Sequence, residues 1–110
     1  MPFDAKLAAR VRVVLGEMPG LVEKQMFGGV GFLLRGHMAV GVHGANLIVR
    51  VPADETAAML KQPHTHPFDI TGRPMRGWLL VQPDGLKTKA ALARWVQRSL
   101  DFASALPPTT

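Results

Sequence analysis

The chain has 110 residues, the usual length of one domain, and its 47% hydrophobic and 19% charged residues exclude an intrinsically disordered protein. It contains no cysteine, which excludes disulfides, thiolate metal sites and a cysteine nucleophile and favours a cytoplasmic location. The formal net charge of +5 is uneven, because residues 1–60 contribute +1 (six Lys and Arg, five Asp and Glu) and residues 61–110 contribute +4 (seven and three).

The first predicted element is a helix from about Asp4 to Leu15. Asp4 is a residue type that caps helix N-termini, and Gly16 stands where a helix end favours a left-handed residue. Leu7 and Val11 begin an apolar stripe with the spacing of three and four residues. We therefore expect this helix to bury one face.

The middle third of the chain changes to an apolar period of two, which predicts β-strands. Gly36 and Gly44 mark short turns between these strands, so the sheet is predicted to be an antiparallel meander without crossover helices. In the third strand, the alternation predicts that Met38, Val40 and Val42 share one face.

The rest of the chain predicts a short helix, one more strand and a long helix. The short helix begins near Pro52 and ends before Pro63, and residues 61–77 are predicted to be irregular. The strand spans Trp78 to Gln82. The long helix spans Thr88 to about Ala105. Together the elements predict one α+β domain over residues 1–110. It is an antiparallel β-meander sheet of about five strands packed with an N-terminal helix, a short middle helix and a long C-terminal helix. The helices are expected on one face of the sheet, the other face meets solvent or a partner, and residues 107–110 are expected to fray.

Several short segments in this order resemble the N-terminal domain of the TfoX/Sxy family of competence regulators. The matching segments are Lys24 to Gly29, Phe32, Gly36 to Met38, Gly41-Val42, Leu47 to Arg50, Pro67 to Asp69, Thr71 to Met75, Gly77-Trp78, Leu92, Trp95-Val96, Leu100, Phe102 and Leu106 to Pro108. The resemblance implies an antiparallel α+β fold without catalytic residues. It also implies a role in transcription beside the cyclic-AMP receptor protein. The longer regulators of the family carry a second, C-terminal helical domain, so we expect this chain to correspond to the first domain alone.

Glycines at positions 28, 29 and 31 invite comparison with a phosphate-binding loop. The dinucleotide fingerprint needs a further glycine where Leu34 stands, and it needs a helix where a strand is predicted to follow. A tight hairpin explains the glycines better, because glycine permits positive φ and close backbone packing. Gly28 and Gly29 remain candidates for a ligand pocket together with Trp78.

His64 and His66, with Asp69 nearby, form the weak candidate for a metal site. Two residues in an extended segment that are separated by one position face the same side, which suits two imidazole ligands. A surface loop between Pro63 and Pro67 is the simpler explanation.

The loop that precedes the last strand carries Arg73 and Arg76 beside Trp78. Arginine suits carboxylate or phosphate recognition, and tryptophan can stack on a base. The alternative is structural, with Arg73 paired to Asp69 and Trp78 buried in the core.

The last helix and the turn before it add four basic residues: Lys87, Lys89, Arg94 and Arg98. They are predicted to form a basic ridge that meets a protein partner or a polyanion. The alternative is a solvated face, on which Asp101 offsets the charge of Arg98.

No pairing of carboxylates or of a nucleophile with a histidine predicts catalysis, so we predict a non-catalytic regulatory or adaptor module without a cofactor. Its partner is expected to be a protein, by resemblance the transcription machinery, while direct contact with nucleic acid stays open. No apolar run approaches the ~20 residues that span a bilayer, so no membrane contact is expected. Two alternatives also stay open: a small-ligand-binding protein or unrecognised enzyme, and a self-associating structural domain that forms a homodimer.

Overall fold

The computed structural model of the chain describes residues 3–26, 28–68 and 75–107. Its helices and strands follow in chain order as α1 (Ala5–Leu15), β1 (Leu21–Met26), β2 (Gly29–Leu34), β3 (His37–His43), β4 (Asn46–Arg50), α2 (Thr56–Met59), β5 (Thr65–Pro67), β6 (Trp78–Val81) and α3 (Lys89–Ser104). Short 3-10 turns at Ala53–Glu55 and Pro83–Leu86 precede α2 and α3. Within these described ranges, none of the helices combines the length and apolarity that a membrane crossing needs.

Local capping fixes the first helix at both ends. The Asp4 carboxylate accepts hydrogen bonds from the backbone N–H groups of Lys6 (2.9 Å) and Leu7 (3.2 Å), which satisfies donors that a helix start leaves open. At the other end, Gly16 adopts φ +62° and its N–H donates to the Arg12 carbonyl. The structure confirms the helix that the sequence predicts here.

The strands form one antiparallel sheet with the order β1-β2-β3-β4-β6-β5, which confirms the α+β class and the meander. The described sheet has six strands, because Thr65–Pro67 pairs with β6 in a segment predicted to be irregular. The prolines that suggested a loop are compatible with this place. β5 lies at the edge of the sheet and pairs only with β6. Proline lacks a backbone N–H, so it is tolerated in an edge strand such as β5 because one side of the strand has no partner to bond.

The core lies between one face of the sheet and the two long helices. Alternate residues of the central strands, among them Val40, Val42, Leu47 and Val49, are fully buried in it. The helices contribute two apolar stripes: Leu7, Ala8, Val11 and Leu15 from α1, and Leu92, Val96, Leu100 and Ala103 from α3. The burial of these stripes holds α1 and α3 on the sheet and leaves their outer faces to solvent.

A β-bulge corrects the predicted face of Met38. Phe32 pairs with Val40, whereas the next residue of β2, Leu33, pairs with Met38, so Ala39 is an extra residue in β3. The bulge turns the Met38 side chain to the opposite face from Val40, where its methyl group lies over Gly41. The prediction that Met38, Val40 and Val42 share one face is therefore wrong at Met38.

Candidate partner-binding surfaces

An open groove with an apolar floor and a basic rim lies between α1 and α3. This α1–α3 groove is lined by Arg10, Val13 and Val14 of α1 and by Lys89 and Leu92 of α3, and its volume is about 290 Å³. Val13 is 70% exposed, the largest exposure among the large apolar side chains of the described residues. An exposed valine and two cations in one groove provide both apolar surface and positive charge.

Helix geometry explains why these five residues meet. Arg10, Val13 and Val14 are separated by three and four positions, so they occupy one face of α1 beside its buried stripe. The Arg10 guanidinium donates to the Leu86 carbonyl at 2.6 Å, which ties it to the turn before α3. This hydrogen bond holds the Arg10 guanidinium at the rim of the groove.

Lys89 occupies the first turn of α3, which begins where the Thr88 side chain accepts a hydrogen bond from the Ala91 N–H at 3.0 Å. A cation in the first turn faces the positive end of the helix dipole, and this turn contains no acidic residue to compensate. Helix stability therefore gives no reason for a lysine at this position.

A second concavity lies elsewhere around α3 and is lined by Gln62, Arg94, Trp95 and Arg98. This arginine cleft has a volume of about 100 Å³. The Arg98 guanidinium carbon lies 5.4 Å from the centre of the Trp95 ring, a cation–π distance, and the guanidinium also contacts the Met59 sulfur. The cleft thus joins two arginines one helical turn apart with an aromatic wall.

Arg98 forms no ion pair with Asp101, although their spacing would allow one. Asp101 instead accepts a hydrogen bond from the Gln97 amide at 2.8 Å. Within residues 3–26, 28–68 and 75–107, the ion pairs join Arg12 to Glu23 and Lys87 to Asp84, and neither involves the arginine cleft.

The predicted basic residues do not share one surface. Lys89 lines the α1–α3 groove, Arg94 and Arg98 line the arginine cleft, and Lys87 lies 3.4 Å from Asp84 across an exposed turn. Arg76 reaches the Ala53 carbonyl at 3.5 Å, beside Trp78. Arg73 lies outside the described residues.

The structure also separates the candidates for a ligand pocket. Gly29 packs so closely on β3 that a side-chain carbon there would overlap the Val42 carbonyl oxygen. Gly28, with φ +74°, is an exposed turn residue. Two strands, β3 and β4, lie between these glycines and Trp78 in β6, so a pocket common to all three is not formed.

Trp78 is half-buried and lines a separate hollow of about 310 Å³ with Pro67, Met75 and Arg76 among others. Its ring centre lies 5.7 Å from that of Phe68 and 4.8 Å from the Arg50 guanidinium carbon. The Arg50 guanidinium also lies 5.2 Å from the Phe102 ring. Burial lowers the pKa of Arg50, although arginine remains protonated at any ordinary pH.

The two candidate histidine ligands do not have the predicted arrangement. His64 has φ +67° and precedes β5, with its side chain against Gly85, while His66 is exposed within the strand. An extended backbone over both residues is therefore wrong. Asp69 lies outside the described residues, and the rest hold no group of three His, Asp or Glu residues placed to bind a metal ion.

Comparison with known proteins gives one match. The family model described as the TfoX N-terminal domain matches residues 14–103, which run from within α1 to within α3. No curated protein and no solved structure shows a significant match. The matched range includes every strand of the described sheet and the residues of the arginine cleft.

Proposed function

The chain belongs to the TfoX N-terminal domain family, and from this premise we propose that it is a non-catalytic regulatory adaptor that binds a partner protein. The family is one of competence-related regulators, which supports the regulatory part of the proposal. The contact part rests on the α1–α3 groove. Its partner is an acidic protein segment that carries at least one apolar side chain.

The exposure of Val13 in the groove that Arg10 and Lys89 also line is the observation that carries this proposal. A valine on an outer helix face contributes little to the fold while it is in water. When a partner covers it, the buried apolar surface favours binding by about 25 cal/mol per Å². Protein interfaces are commonly built in this way, with an apolar centre and a polar rim.

The rim selects the charge of the partner. Arg10 and Lys89 come from different helices and face the same groove, so a carboxylate above the floor is attracted by both. Complementary charge of this kind raises the rate of association and discriminates against basic partners. The groove volume of about 290 Å³ suits one or two apolar side chains of a segment, and it is at the lower limit for a drug-sized ligand.

The arrangement of charge around α3 favours a protein segment over duplex DNA. Lys89 and Arg94 are five positions apart, which places them about 140° apart around the helix axis. A protein that binds the phosphate backbone without sequence preference needs its cations on one continuous surface. The two groups of cations on α3 face different directions.

The test is an affinity capture from a cell extract of the source organism, with and without nuclease, using the whole chain and three variants. Val13→Asp and Lys89→Glu change the floor and the rim of the groove. Val22→Asp is the matched control, because Val22 is 60% exposed on β1 and lies outside the groove. The proposal expects a protein that is retained by the wild type and by Val22→Asp, resists nuclease, and is lost with both groove variants.

Two results would contradict the adaptor. Equal retention by all four chains would exclude the groove, and loss of every captured protein after nuclease would show that nucleic acid is the partner. Light scattering at several concentrations completes the test. A dimer that Val22→Asp dissociates and Val13→Asp preserves would identify self-association through β1 as the function instead.

A further inference from the structure

We propose that the arginine cleft of Gln62, Arg94, Trp95 and Arg98 binds a phosphate monoester group. This site is distinct from the α1–α3 groove, and the inference stands whether or not the groove binds a partner protein. It rests on the charge and the size of the cleft and on the contacts that orient Arg98.

The charge of the cleft is unbalanced within the described part of the chain. Arg94 makes no hydrogen bond or ion pair there, and Arg98 contacts the Met59 sulfur and the Trp95 ring but no carboxylate. Like charges at positions i and i+4 of a helix repel each other. A phosphate monoester carries a charge of about −1.5 to −2 at pH 7, so one such group balances both arginines, whereas one carboxylate balances a single arginine.

The size of the cleft limits what can enter it. A volume of about 100 Å³ corresponds to about three water molecules at their share of liquid volume, which suits the terminal oxygens of one phosphate. We expect the arginines to contact the phosphate, while the carrier of the phosphate extends from the open cleft into solvent.

Two contacts orient the Arg98 side chain for an oxyanion. The guanidinium lies over the Trp95 ring and contacts the Met59 sulfur, so part of its orientation is set before a ligand binds. Arg94 is exposed and can turn toward the ligand. Arginine, unlike lysine, offers two parallel N–H donors to a pair of phosphate oxygens.

Titration of the whole chain with phosphoserine, at ionic strength held constant with sodium chloride, tests the site. The signal is the indole N–H resonance of Trp95, which Trp78→Phe distinguishes from the other tryptophan. The variants are Arg94→Gln, Arg98→Gln and Arg98→Lys, and the control is Arg76→Gln, an exposed arginine outside the cleft. Inorganic phosphate and glutamate serve as the second and third ligands.

The proposal expects a saturable shift with phosphoserine and with inorganic phosphate, and at least about tenfold weaker binding in either Arg→Gln variant. Arg98→Lys should show an intermediate loss because it keeps the charge but not the paired donors, and Arg76→Gln should bind as the wild type. Arg94 is exposed and makes no hydrogen bond or ion pair within the described residues, so loss of binding in Arg94→Gln with an unchanged amide spectrum cannot come from unfolding. A shift that does not saturate, Arg→Gln variants that bind as the wild type, or glutamate that binds as tightly as phosphoserine would each overturn the assignment.

Discussion

The Ser99 hydroxyl group takes the place of a strand neighbour for the backbone of Arg50. It accepts a hydrogen bond from the Arg50 N–H at 2.6 Å and donates one to the Arg50 carbonyl at 3.2 Å. The pairing of β3 with β4 begins at Val40 and Val49, beyond the bulge at Ala39, so no residue of β3 pairs with Arg50 on this side. One serine of α3 thus satisfies the donor and the acceptor that the bulge leaves unpaired.

Replacement of Ser99 by alanine is expected to lower the free energy of unfolding by about 2 kcal/mol, because it leaves the N–H and the carbonyl of the half-buried Arg50 without partners beside the fully buried position 99. Urea unfolding followed by circular dichroism measures the change. Ser104→Ala is the control, since Ser104 is exposed and bonds only the carbonyl of Asp101, and it should shift stability by less than about 0.5 kcal/mol. Equal midpoints for the two variants would show that the serine does not complete the sheet.

Gly29→Ala is expected to destabilise the protein by about 3 kcal/mol, because the added carbon would overlap the Val42 carbonyl oxygen and force β2 away from β3. Gly44→Ala is the comparison, since Gly44 has φ +58° and open space around it, so its cost of about 1 kcal/mol is conformational only. Urea unfolding of both variants tests this, and the midpoint of Gly29→Ala should be the lower of the two. A larger loss for Gly44→Ala would mean that close strand packing does not explain the glycine at position 29.

The ion pair of Arg12 with Glu23 predicts a pH-dependent contribution to stability. The guanidinium bonds the carboxylate at 2.7 Å and holds the pKa of Glu23 below its ordinary value. A lowered folded-state pKa stabilises the protein above about pH 4, and the contribution is lost as the pH falls through the folded-state pKa. Both side chains are nearly half exposed, so the contribution at pH 7 should be at most about 1 kcal/mol and should shrink in high salt.

Urea midpoints of the wild type and Glu23→Gln, compared at neutral pH and near pH 3, measure this contribution. The two chains should differ at neutral pH and converge in acid. Glu17→Gln is the control, because Glu17 is an exposed glutamate six residues before Glu23. Its urea midpoint should match that of the wild type at both pH values. A difference that persists undiminished in acid would assign the effect of Glu23→Gln to something other than its charge.

Local signals in the sequence were sufficient to predict the elements whose ends are locally determined. Asp4 and Gly16 cap α1, and Thr88 caps α3, through bonds between residues within four positions of one another. The alternation in the middle of the chain was sufficient for the meander, since adjacent strands are joined by short turns. These features need no information about distant parts of the chain.

The features that were missed depend on distant contacts. Prolines at positions 63 and 67 indicated a loop, yet Thr65–Pro67 is a strand because β6 offers it an edge. The face of Met38 follows from a bulge that becomes visible only when β2 and β3 are aligned. The exposure of Val13 depends on how α3 packs beside α1, and a stripe of valines along one helix does not reveal which of them stays exposed.

That exposure separates the proposed role of Val13 in binding from any role in folding. Val13→Ser should change the free energy of unfolding by less than about 0.5 kcal/mol, because the side chain is 70% exposed and valine and serine have similar helix propensities. If a partner buries Val13, the same substitution should weaken binding about tenfold or more, since burial of a valine side chain contributes about 1.5 kcal/mol. Calorimetric titration of the captured partner into both chains gives the affinity, and urea unfolding gives the stability. Unchanged affinity for Val13→Ser, beside a loss for Lys89→Glu, would mean that charge alone attracts the partner and that the apolar floor of the groove takes no part.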